Sequence, residues 1–189
     1  MNNETILLEK DGFKFYKTKD NEYYSNFCLN NTNIILSQII DFNLMKLVYD
    51  LNTDIYEKTN LLINHDDTAV ITVLLKHFFK DLGLSQKYSV LQIQRILDQD
   101  KIIFNGQNKD NIDLTEIHTI YGIPTNAELL SITNIKNICT ILTPHKIDCA
   151  FYITFDKNIT IPPFVEKMIS NIIHKIFIRV KQFIENIVI

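Results

Sequence analysis

Along the first half of the chain the apolar residues repeat every second position, then every third or fourth, then every second again. In "GFKFYKT" (Gly12 to Thr18), Phe13 and Phe15 alternate with Lys14, Tyr16 and Thr18, the pattern of a half-buried strand. A polar turn at Lys19–Asn21 leads into "EYYSNFCL", and the two runs predict a hairpin. The next stretch, "NTNIILSQIIDFNLMKLVYDL", places Ile35, Ile39 and Ile40 at helical spacing behind a cap at Asn31 or Thr32. That pattern breaks near Asp41–Asn43, and a second short helix is expected from Asn43 to Leu51.

From Ile55 the period returns to two. "IYEKTNLLIN" sets Ile55, Glu57, Thr59, Leu61 and Ile63 on one side, "HDDT" is a polar turn, and "TAVITVLLK" puts Ala69, Ile71, Val73 and Leu75 on a common face. After a connection "FFKDLGLSQ" containing Gly83, "YSVLQIQRI" presents Leu91, Ile93 and Arg95 opposite Val90, Gln92 and Gln94, and "DQDK" turns into "IIFNG". Residues 107–126 read as a loop with an irregular strand, "TEIHTIYG". "LLSITNIKNICTILT" and "IDCAFYITF", joined at "PHK", form a last pair in which Ile147, Cys149, Phe151, Ile153 and Phe155 alternate with polar or small neighbours. Short polar turns imply antiparallel pairing, because parallel neighbours need long crossovers.

The chain then changes character. After Pro162 and Pro163, which suit a helix start, no Gly or Pro follows. Val165, Met168, Ile169, Ile172, Ile173, Ile176, Val180, Phe183 and Ile187 keep the spacing of one helix face. Glu166, Lys167, Asn171, Lys175, Lys181, Gln182 and Glu185 mostly fall on the other side. At 1.5 Å per residue such a helix is roughly 39 Å long. It is not a membrane span, since Lys175, Arg179 and Lys181 would each cost about 2.5–3.5 kcal/mol at the bilayer centre. Two readings remain: a helix gripped by a curved sheet, or a basic amphipathic helix for a membrane surface or a partner's groove.

Composition narrows the function classes. The 189 residues suit one domain, 1–189, with 46% hydrophobic and 22% charged residues, which excludes disorder. A net charge of −3 without an arginine-rich run argues against a general nucleic-acid binder. "MNNETILLEKDGF" shows no secretory pattern, and the odd, scattered Cys28, Cys139 and Cys149 suit a reducing, cytoplasmic setting as small core residues. His65, His77, His118, His145 and His174 have no metal-ligand spacing. "HDD" at 65–67 reads as a solvated turn, and no nucleophile elbow, P-loop or dinucleotide fingerprint is present. The expectation is a non-enzyme with no catalytic residue, metal or cofactor.

Four stretches, in order along nearly the whole chain, resemble the START domain, a lipid-binding branch of the Bet v 1-like helix-grip folds. "DGFKFYK" resembles the family's first strand, and "NNTNIILSQIIDFNLMKLVYDLN" its short helix, aspartate and second helix. "LKHFFKDLGLSQKYSVLQIQ" is similar to its loop and Ser-containing turn before a strand, and "TFDKNITIPPFVEKMISN" to its Asp, Ile-Pro and helix start. Lys87 and Tyr88 stand where the family has Arg-Asp, and the chain has no Trp. The resemblance implies an α+β helix-grip fold: a curved antiparallel sheet wrapped around a long C-terminal helix, with two short helices after the first strands. It implies one lipid or sterol held in an apolar cavity, of more than about 300 Å³ for a ligand site, and released by movement of the helix. Ile71, Val73, Leu91, Ile93, Arg95, Phe151, Ile153, Val165, Met168, Ile169, Ile172 and Ile176 would line it. Arg95, or less directly Glu57, would meet the polar head, against the plainer reading of Arg95 as an exposed strand end. The loops at Lys80–Gly83 and Thr143–Lys146 would touch a membrane transiently, the protein acting as a peripheral monomer. The alternatives are an interaction module of the same fold with a filled cavity and a protein partner, or a small-molecule enzyme of the same superfamily.

Overall fold

A computed structural model describes residues 4–78 and 80–188. The chain opens with three antiparallel strands, β1 (Thr5–Lys10), β2 (Phe13–Lys19) and β3 (Glu22–Asn30). The β1–β2 turn is Asp11-Gly12, both with positive φ (53° and 74°), the backbone that closes a two-residue hairpin without splaying its strands. β1 was not expected from the alternation of apolar residues, because its burial is partial and irregular. A 3₁₀ turn at Leu36–Gln38 stands where the first short helix was expected. The helix α1 (Phe42–Asp50) follows at the expected place, and the Asp41 side chain caps it by accepting from the Asn43 and Leu44 amides.

A meander then runs through β4 (Tyr56–His65), β5 (Thr68–Leu75), β6 (Lys87–Asp98) and β7 (Lys101–Asn108). Residues 114–119, expected as an irregular strand, form the helix α2 (Leu114–Thr119), with Asp113 as its cap. The two-residue β8 (Glu128–Leu129) pairs parallel to β6. The long pair β9 (Ile132–Thr143) and β10 (Lys146–Phe155) leads to the terminal helix α3 (Pro163–Glu185). The sheet order is β1-β2-β3-β10-β9-β7-β6-β5-β4, each neighbour antiparallel.

The sheet has an inner face, covered by α3 and α1, and an outer face. One contiguous core joins Phe13, Phe15 and Tyr23 on one flank, Phe151 and Ile153 in the middle, and Ile71, Leu91 and Ile93 on the other, with Val180 and Ile184 of α3 on top. A second, smaller core lies on the outer face, where Ile117 and Ile123 cover Leu74, Tyr88 and Val90. That cluster explains why both faces of β5 and β6 are apolar. Gly106 on β7 is required by packing: a Cβ there would come within 2.6 Å of Ile135 Cγ2 and 3.2 Å of Ile93 Cγ1. No helix among the described residues is long and apolar enough to cross a membrane.

Candidate functional site

Strand register places inner-face residues in rows that run across the sheet, and two neighbouring rows differ in chemistry. The first runs Lys17, Tyr23, Ile153, Ile135, Gly106, Ile93. The second runs Phe15, Ser25, Phe151, Asn137, Phe104, Arg95. In the first row α3 supplies the partner that the polar residues need. Glu166 is 7% exposed, and its Oε1 accepts from Lys17 Nζ at 2.9 Å and from the Tyr23 hydroxyl at 2.7 Å. Burial, with the Glu166 carboxylate beside it, pushes the Tyr23 phenol well above its ordinary range. The hydrogen bond to Glu166 likewise raises Lys17. Glu166 was expected on the solvent side of the helix, so the helix is turned further than its apolar spacing suggests.

Further along α3 the seam is closed by rings. Phe177 lies 4.7 Å from Phe27, 5.1 Å from Phe151 and 6.2 Å from Phe13, centroid to centroid. His174 is buried edge-on to Phe13, and its Nε2 lies 3.2 Å from Asp11 Oδ2 without the alignment of a hydrogen bond. The C-terminal half of the helix is tied down twice. Asn31 donates to the Ile184 and Ile187 carbonyls at 2.6 and 3.0 Å. Asp54 pairs with Lys175 and, at 2.5 Å, with Arg179, which holds its carboxyl below the usual carboxylate range. A cavity of about 140 Å³ remains at the seam, between Gly12, Phe13, Phe27 and Phe177. That is below the roughly 300 Å³ of a small-molecule pocket. A depression of about 290 Å³, with Glu22, Asn134, Lys136 and Tyr152 on its walls, lies on the outer face of the sheet.

The second row has polar groups without partners. Ser25 is fully buried, and its Oγ, the Oδ1 of Asn137 and the Nε of Arg95 are buried with no hydrogen-bond partner. Arg95 is half-buried on the inner face, its guanidinium carbon 6.0 Å from the Phe42 ring centroid at the start of α1. It is not the exposed strand end of the plainer expectation. In the row beyond, Cys139 and Cys149 are buried with their sulfurs 3.7 Å apart. The Cys139 thiol and burial raise Cys149, as befits unreactive core thiols.

The other residues singled out in the sequence fall in several places. Ile71, Val73, Leu91, Ile93, Phe151 and Ile153 are buried together on the inner face. On α3, Ile169 packs against that cluster, Ile176 is buried, and Val165, Met168 and Ile172 are half-buried outside it. Glu57 is exposed at a bulge in β4 and accepts from Gln86 Nε2, so it does not reach the interior. Ser25, Asn137 and Glu166 were not anticipated. Ser25 and Asn137 share the inward phase of their strands with Phe27 and Cys139, a signal that alternation alone does carry.

No protein-family model and no curated protein matches the chain. Solved structures do match it. The human StarD13 (DLC2) lipid transfer and protein localization domain superposes with a TM-score of 0.71 at 8% identity, covering 99% of this chain and 91% of that one. Human StAR-related lipid transfer protein 5 gives 0.67 at 13% identity, covering 95% and 85%. A STAR-related lipid transfer protein from Xanthomonas axonopodis gives 0.65 at 11%, covering 96% and 98%. The chain therefore has the helix-grip fold of START domains.

Proposed function

We propose that the chain binds one lipid- or sterol-sized apolar molecule between the inner face of the sheet and α3, without catalysis. One observation carries this reading: three inward side chains of one row keep buried polar atoms unpaired. Each such atom costs about 1–3 kcal/mol when nothing meets it, and a fold that merely filled its own interior gains by replacing them with apolar residues. A ligand enters when α3 lifts and the rings around Phe177 give way, a motion of the microsecond-to-millisecond class. Exposed apolar residues suited to a transient membrane contact lie at one end of the sheet, where Phe78 and Leu84 flank Lys80–Gly83, while Leu142 and the Thr143–Lys146 turn lie at the opposite end.

Native mass spectrometry of the chain expressed in a lipid-rich host tests the reading. A one-to-one adduct of lipid mass is expected, and a bare chain that also takes up nothing from added lipid would overturn it. The ring packing of Phe177 against Phe13, Phe27 and Phe151 favours a second reading, an interaction module. The outer face supports it with a stacked ladder of Tyr16, Tyr24 and Tyr152, 5.7 and 4.8 Å apart.

A further inference from the structure

Arg95 is a permanent cation, turned toward the interior, with no ion pair or side-chain hydrogen bond among the described residues. Lys17, which also reaches the inner face, has Glu166 and Asp20. A guanidinium is built to hold a planar anion through two parallel hydrogen bonds, and beyond the Phe42 ring face the fold gives this one no anion. Asn137 lies two strands from Arg95 in the same row, and Ser25 two strands further. Strands lie about 4.8 Å apart, so the three polar groups are spaced by ~10 Å each. Phe104 and Phe151 stand between them. The row therefore alternates hydrogen-bonding and apolar positions in a line perpendicular to the strands.

We propose that the molecule held in the grip is an elongated amphiphilic acid. Its acid group sits on Arg95, and a hydroxyl further along the same edge donates to Asn137 Oδ1. Phe104 packs against the apolar stretch between the two polar groups. This rests on the reading of the inner face as a ligand site, and it goes further in naming the ligand's class. A neutral lipid of the same shape would cover the half-buried guanidinium without supplying an anion, the costlier of the two arrangements.

The test compares three probes on the full chain by calorimetric titration below their micelle concentrations: stearate, stearyl alcohol and a mid-chain hydroxystearate. Stearate is expected to bind at least about tenfold more tightly than the alcohol, the scale of a hydrogen bond to a charged group. Arg95→Gln should remove that difference, chiefly by weakening the acid. Hydroxystearate should bind several-fold more tightly than stearate, a gain that Asn137→Leu abolishes. Added salt, on the unaltered chain, should weaken the acid and not the alcohol, which keeps the test valid if Arg95→Gln fails to fold. Equal binding of acid and alcohol overturns the acidic class and leaves the apolar-ligand reading standing. Equal binding of the two acids means the row holds water at Asn137 and overturns the hydroxyl assignment. Binding of none of the three overturns both the class and the site.

Discussion

Under the first turns of α3, Glu166 meets both Lys17 and Tyr23, whereas in the adjacent row Ser25, Asn137 and Arg95 each keep a buried polar atom that meets nothing. The two rows share the same strands, the same inner face and the same overlying helix. The difference is that one is completed from within the chain and the other is not. Where the fold needs a polar group for its own closure, a partner arrives from α3 at hydrogen-bond distance. Buried atoms without a partner also occur singly elsewhere, at Thr72 Oγ1, Asn108 Oδ1 and His174 Nε2; the second row is set apart by gathering three of them along one line of the inner face.

The comparison can be broken most forcefully at the rings. Phe177 is the contact that shuts α3 onto Phe13, Phe27 and Phe151. Phe177→Ala should cost about 3 kcal/mol, the lower end for a phenylalanine because the ring is half-buried. Urea denaturation measures it, and a loss below about 1 kcal/mol would mean that the rings are not what closes the seam. Glu166→Leu comes next, at about 2 kcal/mol. It strands the Tyr23 hydroxyl and leaves Lys17 only the exposed Asp20, 3.2 Å away, with a discount because Lys17 is 28% exposed. Glu166→Gln keeps an acceptor for Tyr23 and should lose less than half as much in the same measurement.

The second row should respond with the opposite sign. Ser25→Ala and Asn137→Leu remove unpaired polar atoms, so in the ligand-free protein each is expected to leave stability unchanged or raise it by up to about 1 kcal/mol. If either variant loses as much as Glu166→Leu in a urea melt, the row is satisfied in solution by tightly held water, and its contrast with the first row disappears.

Much of this arrangement was legible in the residues themselves. The alternation in "YSVLQIQRI" put Arg95 on the face of Leu91 and Ile93, and strand register confirms that phase. Two misjudged elements had local signals. Asp11-Gly12 is a two-residue hairpin turn, yet β1 escaped notice because the apolar residues of "TILLEK" do not alternate. Asp113 with Glu116 three residues on is a helix-start signature, but the apolar residues of 114–121 face a small outer core. The helical spacing of Ile35, Ile39 and Ile40 was overridden by tertiary contacts: the Leu36 amide donates to the Pro144 carbonyl, and Ile34, Leu36 and Ile40 are buried as a chain segment rather than a helix face. The rotation of α3 was beyond reach, since it is set by Lys17, 149 positions away in the chain, and no helical periodicity reports that.

The weakest expected effect lies where α3 is latched from outside. Asp54 binds Arg179 and Lys175 in the connection after α1, with its side chain 46% exposed. The hydrogen bond from Arg179, then that from Lys175, holds its carboxyl below the ordinary value of 3.8. A carboxyl depressed in the folded state stabilises the fold above the unfolded value, and the contribution is lost as pH falls below it. Solvent screening at such an exposed pair limits the gain to about 0.5 kcal/mol. Asp54→Asn should therefore melt slightly below the unaltered chain at pH 7, and the gap should close as pH falls through and below 3.8. Added salt at pH 7 should narrow the same gap. The buried Glu166 pair should keep most of its effect under that salt, so the two ion pairs on one helix are separated by screening alone. A gap at Asp54 that ignores both pH and salt would mean the residue acts through the backbone of the α1–β4 connection and not as an ionic latch.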